Sequence, residues 1–245
     1  DSLSTTQSLT SGDQVTETFT IQITSGGVIS TADAVFTILG QNDTPSLSNL
    51  QSALVLTENA VNAGYVPLIA NPDAFAVLDA ESNFDGGKLT ISGFLNEDLV
   101  RVFDQGAGVD LIDVVGSSLY FNDALIATMA GGSTTATGLR NDLVFTFTAA
   151  TSSAAIEHLI EDLQFSNAQD AATTSRTIGF DLLDGDGNAV GYPTPSTVIP
   201  SLYSTTLTIT AQNDLPTATG LPSDVSVRLA TASAVPLSTL ALADA

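Results

Sequence analysis

The sequence predicts an all-β fold, with antiparallel β-sandwich modules in tandem and one short helix in the middle module. Two observations lead to this prediction. Many short segments alternate apolar and polar residues between turns rich in Gly and Asp, which is typical of sandwich strands. The motif Gln-Asn-Asp-x-Pro also follows such a segment twice, at residues 41–45 and 212–216, which are 171 residues apart (212 minus 41). Proline ends a strand, and a repeat at a fixed spacing indicates tandem modules.

Residues 1–44 are expected to be the closing hairpin of a preceding module. In its first strand Phe19, Ile21 and Ile23 alternate with Thr and Gln, which is the period of a half-buried strand. A Gly-Gly turn follows, and residues 32–39 return as the second strand. A lone hairpin is only marginally stable in water, so other strands are expected to cover it.

Residues 45–213 are predicted to be a complete module. Its first strand ends at an acid, Glu58. A helix is expected at residues 154–163, where apolar residues recur with helical spacing and Ser152 or Ser153 is available as the N-cap. The strands of this module are expected at residues 54–57, 88–92, 100–103, 118–121, 125–129, 142–148, 176–183 and 204–210.

Residues 214–245 are expected to be the first strands of a following module. Residues 225–229 are similar to the first strand of the middle module, and residues 240–245 are similar to the approach to Asp79 and Ala80. The chain is therefore predicted to contain parts of three modules in a row.

The composition restricts the classes of partner. The chain has 27 Asp and Glu against 5 Lys and Arg, and a formal net charge of −22. Such a charge repels nucleic acid and anionic lipid and attracts multivalent cations, so neither nucleic acid nor a membrane is expected as a partner. No segment approaches the ~20 apolar residues that cross a bilayer. The chain has no cysteine, so bound metal is the expected source of extra stability in place of disulfides.

Several motifs resemble one known family. The sequence Leu-Asp-Ala-Glu-Ser-x-Phe-Asp-Gly-Gly-x-Leu-Thr occurs at residues 78–90, Ala-Ala-Ile-Glu-x-Leu-Ile at residues 154–160, and Asp-Gly-Asp-Gly at residues 184–187. In this order, and with the Asn-Asp-x-Pro motif after the closing strands, they resemble the VCBS and cadherin-like repeats of large secreted bacterial adhesins. The resemblance implies an Ig/cadherin-like sandwich fold and an extracellular or cell-surface location.

The same resemblance implies calcium (Ca²⁺) as the bound ion, held at the junctions between modules. In cadherin-like modules an acid after the first strand, an Asp-x-Glu loop and the Asn-Asp linker converge there. The corresponding residues in this sequence are Glu58, Asp79, Glu81, Asn213 and Asp214. Calcium prefers six to eight oxygen ligands, and these side chains supply oxygen.

Further candidates are Asp184 and Asp186 in the Asp-Gly-Asp-Gly turn, and Asn42 and Asp43 in the first linker. The alternative is that Asp and Asn in these loops only form hydrogen bonds that cap turns. Of the two linkers, the second is expected to be the better ion site. A calcium site in the third module is expected to be weak or absent, because Leu229 occupies the position that corresponds to Glu58.

Enzymatic activity is not expected. The chain has one histidine, His158, in the predicted helix, and it has no cysteine and no Gly-x-Ser-x-Gly motif. Zinc ligands are therefore scarce. The chain also has no Trp and 4 Tyr, which leaves few aromatic rings on which a sugar could stack.

The predicted function is that of a calcium-rigidified spacer in the repeat region of a secreted or cell-surface bacterial protein. One alternative is a subunit of an extracellular filament or sheath, in which incomplete terminal segments of neighbouring copies complete one another. Another alternative is an adhesin module that binds a surface glycan or protein. The expected partners are calcium ions and neighbouring modules or copies of the same protein.

Overall fold

The computed structural model describes residues 8–10, 12–79, 81–131, 142–185 and 203–213, together with the backbone of residues 217–219 and 241–243. Strands dominate, and the predicted all-β sandwich class is confirmed. Strands β1 to β17 are Gln14–Ser25, Val28–Leu39, Ser46–Ser48, Ala53–Thr57, Val66–Pro67, Ala76–Leu78, Lys88–Ser92, Asp98–Val102, Ile112–Val115, Ser118–Phe121, Ala124–Ala130, Leu143–Phe147, Leu163–Asn167, Ser175–Leu183, Tyr203–Thr210, Thr217–Thr219 and Ala241–Ala243. Helices α1 and α2 are Glu58–Ala63 and Ser153–Glu161, and a 3₁₀ turn covers Pro72–Ala74.

The sandwich is built on one large sheet. Its eight strands have the order β4-β15-β14-β7-β12-β11-β10-β9. A second sheet has the order β5-β13-β8, and three two-stranded pairs, β1-β2, β3-β6 and β16-β17, complete the described strands. All pairs are antiparallel except β4 with β15, which is parallel. The expected all-antiparallel arrangement is therefore wrong at that edge.

The core contains side chains from both sheets and from α2. Phe145, Phe165 and Phe180 are fully buried, because alternate residues of their strands point inward. Helix α2 begins as predicted, since the backbone N–H of Ala155 donates to Ser152 Oγ at 3.2 Å. None of the helices among the described residues is long and apolar enough to cross a membrane.

Two local predictions need correction, and a third agrees with the structure. Leu163 was expected in the helix, but it begins β13, which pairs with β8 and was not predicted. Glu58 was expected at the end of a strand, but it begins the short helix α1. The Gly-Gly turn of the hairpin is as expected, and both residues have positive φ (58° and 80°), as a two-residue hairpin turn requires.

A buried ion pair joins the two sheets. Arg176 on β14 lies 3.2 Å from Asp98 Oδ2 on β8 and 3.2 Å from Glu97 Oε1. The Arg176 Nε–Asp98 contact is close in distance but not aligned as a hydrogen bond. Asn167 Nδ2 donates to the other Asp98 oxygen at 3.0 Å. Burial raises the pKa of Asp98 and lowers that of Arg176, and the attraction between them opposes both shifts.

The strand directions define two ends of the sandwich. β14 runs antiparallel to β15, with Ser175 opposite Thr208, and β4 runs parallel to β15, with Thr57 opposite Thr210. The residue after β14, Asp184, therefore lies at one end, which we call the first pole. The residues that follow β4 and β15 lie at the other end, the second pole. The eight residues of β15 separate the poles by about 25 Å.

One short strand pairing occurs twice in the described backbone. β16 and β17 pair antiparallel, with Thr217 opposite Ala243. This repeats the pairing of β3 with β6, in which Ser46 is opposite Leu78. Ser46 and Thr217 are each four residues after the Asn of their Asn-Asp motif. The following module itself stays a prediction, because most of residues 214–245 lie outside the described residues.

Candidate metal centre

The first linker is attached to the first pole by a side-chain hydrogen bond. Asn42 Nδ2 donates to Asp184 Oδ2 at 3.0 Å, between residues 142 positions apart in the chain. Asp184 is buried and follows directly after β14. This contact joins the linker after the β1-β2 hairpin to the large sheet of the middle module.

The loop of residues 79–87 lies against Asp184. Phe84 anchors it, because its side chain is fully buried and packs edge-on against Phe147 at 6.0 Å between ring centroids. Gly185 allows the close approach, since a Cβ atom there would lie 2.0 Å from the carbonyl oxygen of Asp85. The Gly185 N–H donates to the Asn83 carbonyl at 2.9 Å. The loop that carries Asp79 and Glu81 is therefore held in place by backbone contacts.

The strand before this loop is fixed by the helix. The backbone N–H of Val77, on β6, donates to Glu157 Oε1 at 2.7 Å. β6 also pairs with β3, with Leu78 opposite Ser46, which brings Asp79 beside the linker. An open groove of about 350 Å³ lies there, lined by Thr44, Val77, Leu78 and Asp79.

The carboxyl groups of this pole repel one another. The pKa of Asp79 is raised to about 6, first by burial and then by the negative charges of Glu81 and Asp184. Contact with the Glu81 carboxyl also favours the protonated form, and the Ser82 backbone N–H acts in the opposite direction. Both oxygens of Asp79 and both oxygens of Glu81 are shielded from solvent, and none of the four has a well-aligned hydrogen-bond partner. Four buried carboxylate oxygens without a donor are unusual, because a buried polar atom normally has a partner.

The oxygen atoms at this pole are the kind of ligand that a hard cation prefers. Calcium takes carboxylate and amide oxygens, and Asp79, Glu81, Asp184 and Asn42 supply them. The side chains do not form a finished ligand set, since no group of three His, Cys, Asp or Glu in the described part of the chain is placed to hold a metal ion. Glu81 and Asp184 are nevertheless close enough to raise the pKa of Asp79.

The second pole has a different arrangement. Glu58 is 2% exposed, and its Oε2 accepts from the backbone N–H of Gln212 at 2.8 Å. Its other oxygen, Oε1, is buried without a partner. Asn213 is exposed and has a contact of its own. One buried acid ties the end of β15 to α1 here.

The structure divides the predicted site into two. The expectation that Glu58, Asp79, Glu81 and Asn213 converge at one junction is wrong, because Glu58 and Asn213 lie at the second pole and the other two at the first. Strand pairing explains the division: β4 is parallel to β15, and β14 is antiparallel to it.

The remaining candidates have separate outcomes. Asp43 is exposed, next to Asn42. Asp186 and Asp214 lie outside the described residues. Asp79 and Glu81, whose carboxylate oxygens are buried without a well-aligned partner, lie beside the linker of Asn42. These acids therefore favour the first linker as the ion site, whereas the sequence favoured the second linker.

The sequence analysis missed one acid with an unusual environment. Asp162 follows α2, and its Oδ2 atom is buried without a partner. Its pKa is raised to about 6 by burial, while His158 lowers it and Glu161 raises it. His158 stacks on Phe121 at 5.1 Å and lies 3.5 Å from Glu161. No motif in the sequence marks Asp162, because its burial depends on the end of α2 meeting β8.

Comparisons with known proteins give no relative: no family model, no curated protein and no solved structure matches this chain. The resemblance to VCBS and cadherin-like repeats therefore stays a prediction.

Proposed function

We propose that this chain is a spacer of tandem β-sandwich modules in a secreted or cell-surface protein, and that calcium stiffens the junction at the first pole. The observation that carries the proposal is the set of four buried, unpartnered oxygens on Asp79 and Glu81. They lie beside Asp184, which already holds Asn42 of the linker. A cation bound to these acids would connect the linker to the module.

The physical mechanism is the relief of repulsion. Without a cation, carboxylates at this pole oppose one another, and the raised pKa of Asp79 reports the cost. A bound divalent ion neutralises the repulsion and adds a connection between Asn42 or the nearby backbone and the loop of residues 79–87. The linker then has fewer orientations relative to the middle module, which is what a spacer under tension requires.

The magnitude expected is modest. Extracellular calcium modules bind with dissociation constants on the order of 10⁻⁴–10⁻³ M. At about 10 mM calcium, this affinity stabilises the folded state by about 1.5–3 kcal/mol. Magnesium is expected to bind more weakly, because it demands a smaller octahedral site and loses its water reluctantly.

The test is a calorimetric titration of the full chain with calcium. The wild-type chain is expected to bind calcium in the submillimolar to millimolar range, and the variants Asp79→Asn and Glu81→Gln are expected to bind at least tenfold more weakly. Asp170→Asn is the matched control, since Asp170 is an exposed acid in the loop before β14, and β14 begins near the second pole. Equal calcium binding by Asp79→Asn and Asp170→Asn would show that the ion binds elsewhere.

A further inference from the structure

A pocket of about 420 Å³ lies near the second pole, where β14 begins. The loop between β7 and β8 forms one side of it, and the loop between β13 and β14 forms the other. None of Asp79, Glu81 and Asp184 lines it. Pockets that bind small ligands have volumes of roughly 300–1,000 Å³. This pocket is therefore large enough for a single side chain or a small molecule.

Glu97 is the charged side chain among the described residues that line the pocket. Its Oε1 atom accepts from the backbone N–H of Thr173 at 2.7 Å and from Arg176 Nη2 at 3.2 Å. These two donors hold the carboxylate in one orientation, because one lies in the opposite loop and the other is buried. Neither of them reaches Oε2, which leaves this oxygen for a ligand.

The charges beside the pocket do not balance. Arg176 lies 3.2 Å from Asp98 Oδ2 and 3.2 Å from Glu97 Oε1, so one guanidinium faces two carboxyl groups. The side chain of Asp98 is completely buried with Arg176, whereas the side chain of Glu97 is 23% exposed. The excess negative charge therefore lies on the solvent side, at Glu97. The net charge of −22 adds to the attraction of a cation.

The walls beside Glu97 are aliphatic. Leu95 and Leu99 are half-buried and line the pocket on one side, and Ala168 lines it on the other. Apolar walls next to a carboxylate fit a ligand that has an alkyl stem and a cationic end. A lysine side chain has this form, because its methylene groups pack along apolar surface while its ammonium group stays at a polar site.

Two side-chain amides distinguish lysine from arginine as the ligand. Asn96 and Gln169 are exposed and line the pocket, and each has an amide oxygen that can accept a hydrogen bond. With Glu97 Oε2 they offer three acceptors, and an ammonium group has three N–H donors. A guanidinium binds best to a carboxylate that accepts with both oxygens, but Oε1 of Glu97 is already occupied. The pocket therefore favours lysine.

We propose that this pocket binds a lysine side chain of a partner protein. The ammonium group lies on Glu97 Oε2, and the alkyl stem lies along Leu95 and Leu99. The proposal goes beyond the spacer function, because it gives the second pole a contact with another protein. It does not depend on calcium.

A protein fits the mouth of the pocket better than a free amine. Ala168, Gln169 and Thr173 are exposed there, so they are available to the backbone on either side of a bound lysine. A free amine with the same alkyl stem has no such flanking groups and leaves these residues uncovered. Both ligands share the ammonium group and the stem, and the experiment below separates them.

The test is an NMR titration of the full chain in EDTA, at about 0.15 M salt, where charges more than about 8 Å apart are largely screened. The reporter is the backbone N–H of Thr173, because it donates to Glu97 Oε1. The probe is the tripeptide Gly-Lys-Gly with both termini blocked. Two matched peptides replace its lysine with arginine or with norleucine, which has an alkyl stem and no charge. Butylamine is the free-amine probe.

The lysine peptide is expected to shift the Thr173 signal with a Kd on the order of 1 mM, since one partly exposed ion pair adds little free energy. The arginine peptide is expected to bind about threefold more weakly, and the norleucine peptide at least tenfold more weakly. Butylamine is also expected to bind more weakly than the lysine peptide.

Three variants locate the ligand in the pocket. Glu97→Gln keeps an oxygen acceptor for Arg176 and Thr173 but removes the charge, and it is expected to weaken lysine binding at least tenfold. Asp170→Asn is the matched control, because it removes one charge from the same loop at an exposed residue that does not line the pocket. Its effect is expected to be less than twofold. Ala168→Phe fills the pocket from an exposed position and is expected to abolish binding.

Four results would overturn the proposal. The Thr173 signal would not shift saturably with millimolar lysine peptide, or the norleucine peptide would bind as tightly as the lysine peptide. Equal losses in Glu97→Gln and Asp170→Asn would assign the binding to the acidic surface as a whole. Butylamine binding as tightly as the lysine peptide would assign the pocket to a free amine. Lysine binding in a chain that does not bind calcium would leave this proposal standing while the spacer proposal failed.

Discussion

Asp98 and Asp79 are both shielded from water, and burial raises the pKa of both carboxyl groups, yet their surroundings differ. Asp98 lies between the sheets, beside Arg176, and accepts from Asn167 and from the Leu95 backbone. Asp79 lies at the first pole beside other acids, and neither of its oxygens has a well-aligned hydrogen-bond partner.

The difference separates a structural acid from a candidate ligand. A buried charge with partners inside the protein favours one particular packing, because removal of either partner leaves the other charge buried without compensation. A buried charge without partners costs stability until something from solution neutralises it. Changes at the two residues should therefore affect stability in opposite directions.

The largest effect is expected from Asp98→Ala. The change leaves Arg176 buried without its main counterion, which costs about 3–5 kcal/mol of unfolding free energy. Urea unfolding of the full chain measures this loss, which should be the same in calcium and in EDTA. A loss that calcium repairs would mean that Asp98 also belongs to an ion site.

Gly185→Ala is expected to cost about 1–3 kcal/mol. The added Cβ atom would lie 2.0 Å from the Asp85 carbonyl oxygen, so the loop that carries Asp79 and Glu81 must shift. In Gly185→Ala, both the calcium affinity and the unfolding free energy should fall. Gly64→Ala is the control, since no atom lies within 4 Å of the added Cβ at that position. Unchanged calcium affinity in Gly185→Ala would separate the ion site from this loop.

The pH dependence should have a definite sign. Asp79 and Asp162 titrate near pKa 6 in the folded chain and near ~3.9 when unfolded. Between these values the folded state binds more protons than the unfolded state. The stability that protonation of Asp79 and Asp162 contributes is therefore complete below about pH 4 and is lost as the pH rises through about 6.

In EDTA, the unfolding free energy at pH 5 is thus expected to exceed that at pH 7.5 by about 2 kcal/mol. Calcium should reduce the difference, because it stabilises the ionised form of Asp79. The variant Asp162→Asn isolates the contribution of Asp79. A calcium-free chain that loses stability on acidification from pH 7.5 to 5 would contradict the assignment.

Local patterns predicted much of the fold. The alternation in β7, β12, β14 and β15 gave those strands nearly to the residue, and Ser152 was identified as the cap of α2. The sequence also places Asp79 and Glu81 in a loop, as the structure does, and their role as ligands stays a prediction.

Long-range pairing could not be predicted. The sequence does not show that β4 is parallel to β15, and this direction places Glu58 at the pole opposite to Asp79. The Asn42–Asp184 contact joins residues 142 positions apart. Likewise, Arg176 is one basic residue in an apolar strand, and only the packing of the two sheets shows that Asp98 is its partner.

The most direct test of the central claim compares thermal melts of the wild-type chain and Asp79→Asn, each in EDTA and in about 10 mM calcium at pH 7.5. In EDTA the variant should melt higher by about 2–5 °C, because a buried repulsion is removed. Calcium should raise the wild-type Tm by about 4–10 °C and leave the variant nearly unchanged, so that the order reverses. A variant that is less stable than wild type in EDTA, or that gains as much from calcium, would contradict the assignment of Asp79 as a calcium ligand.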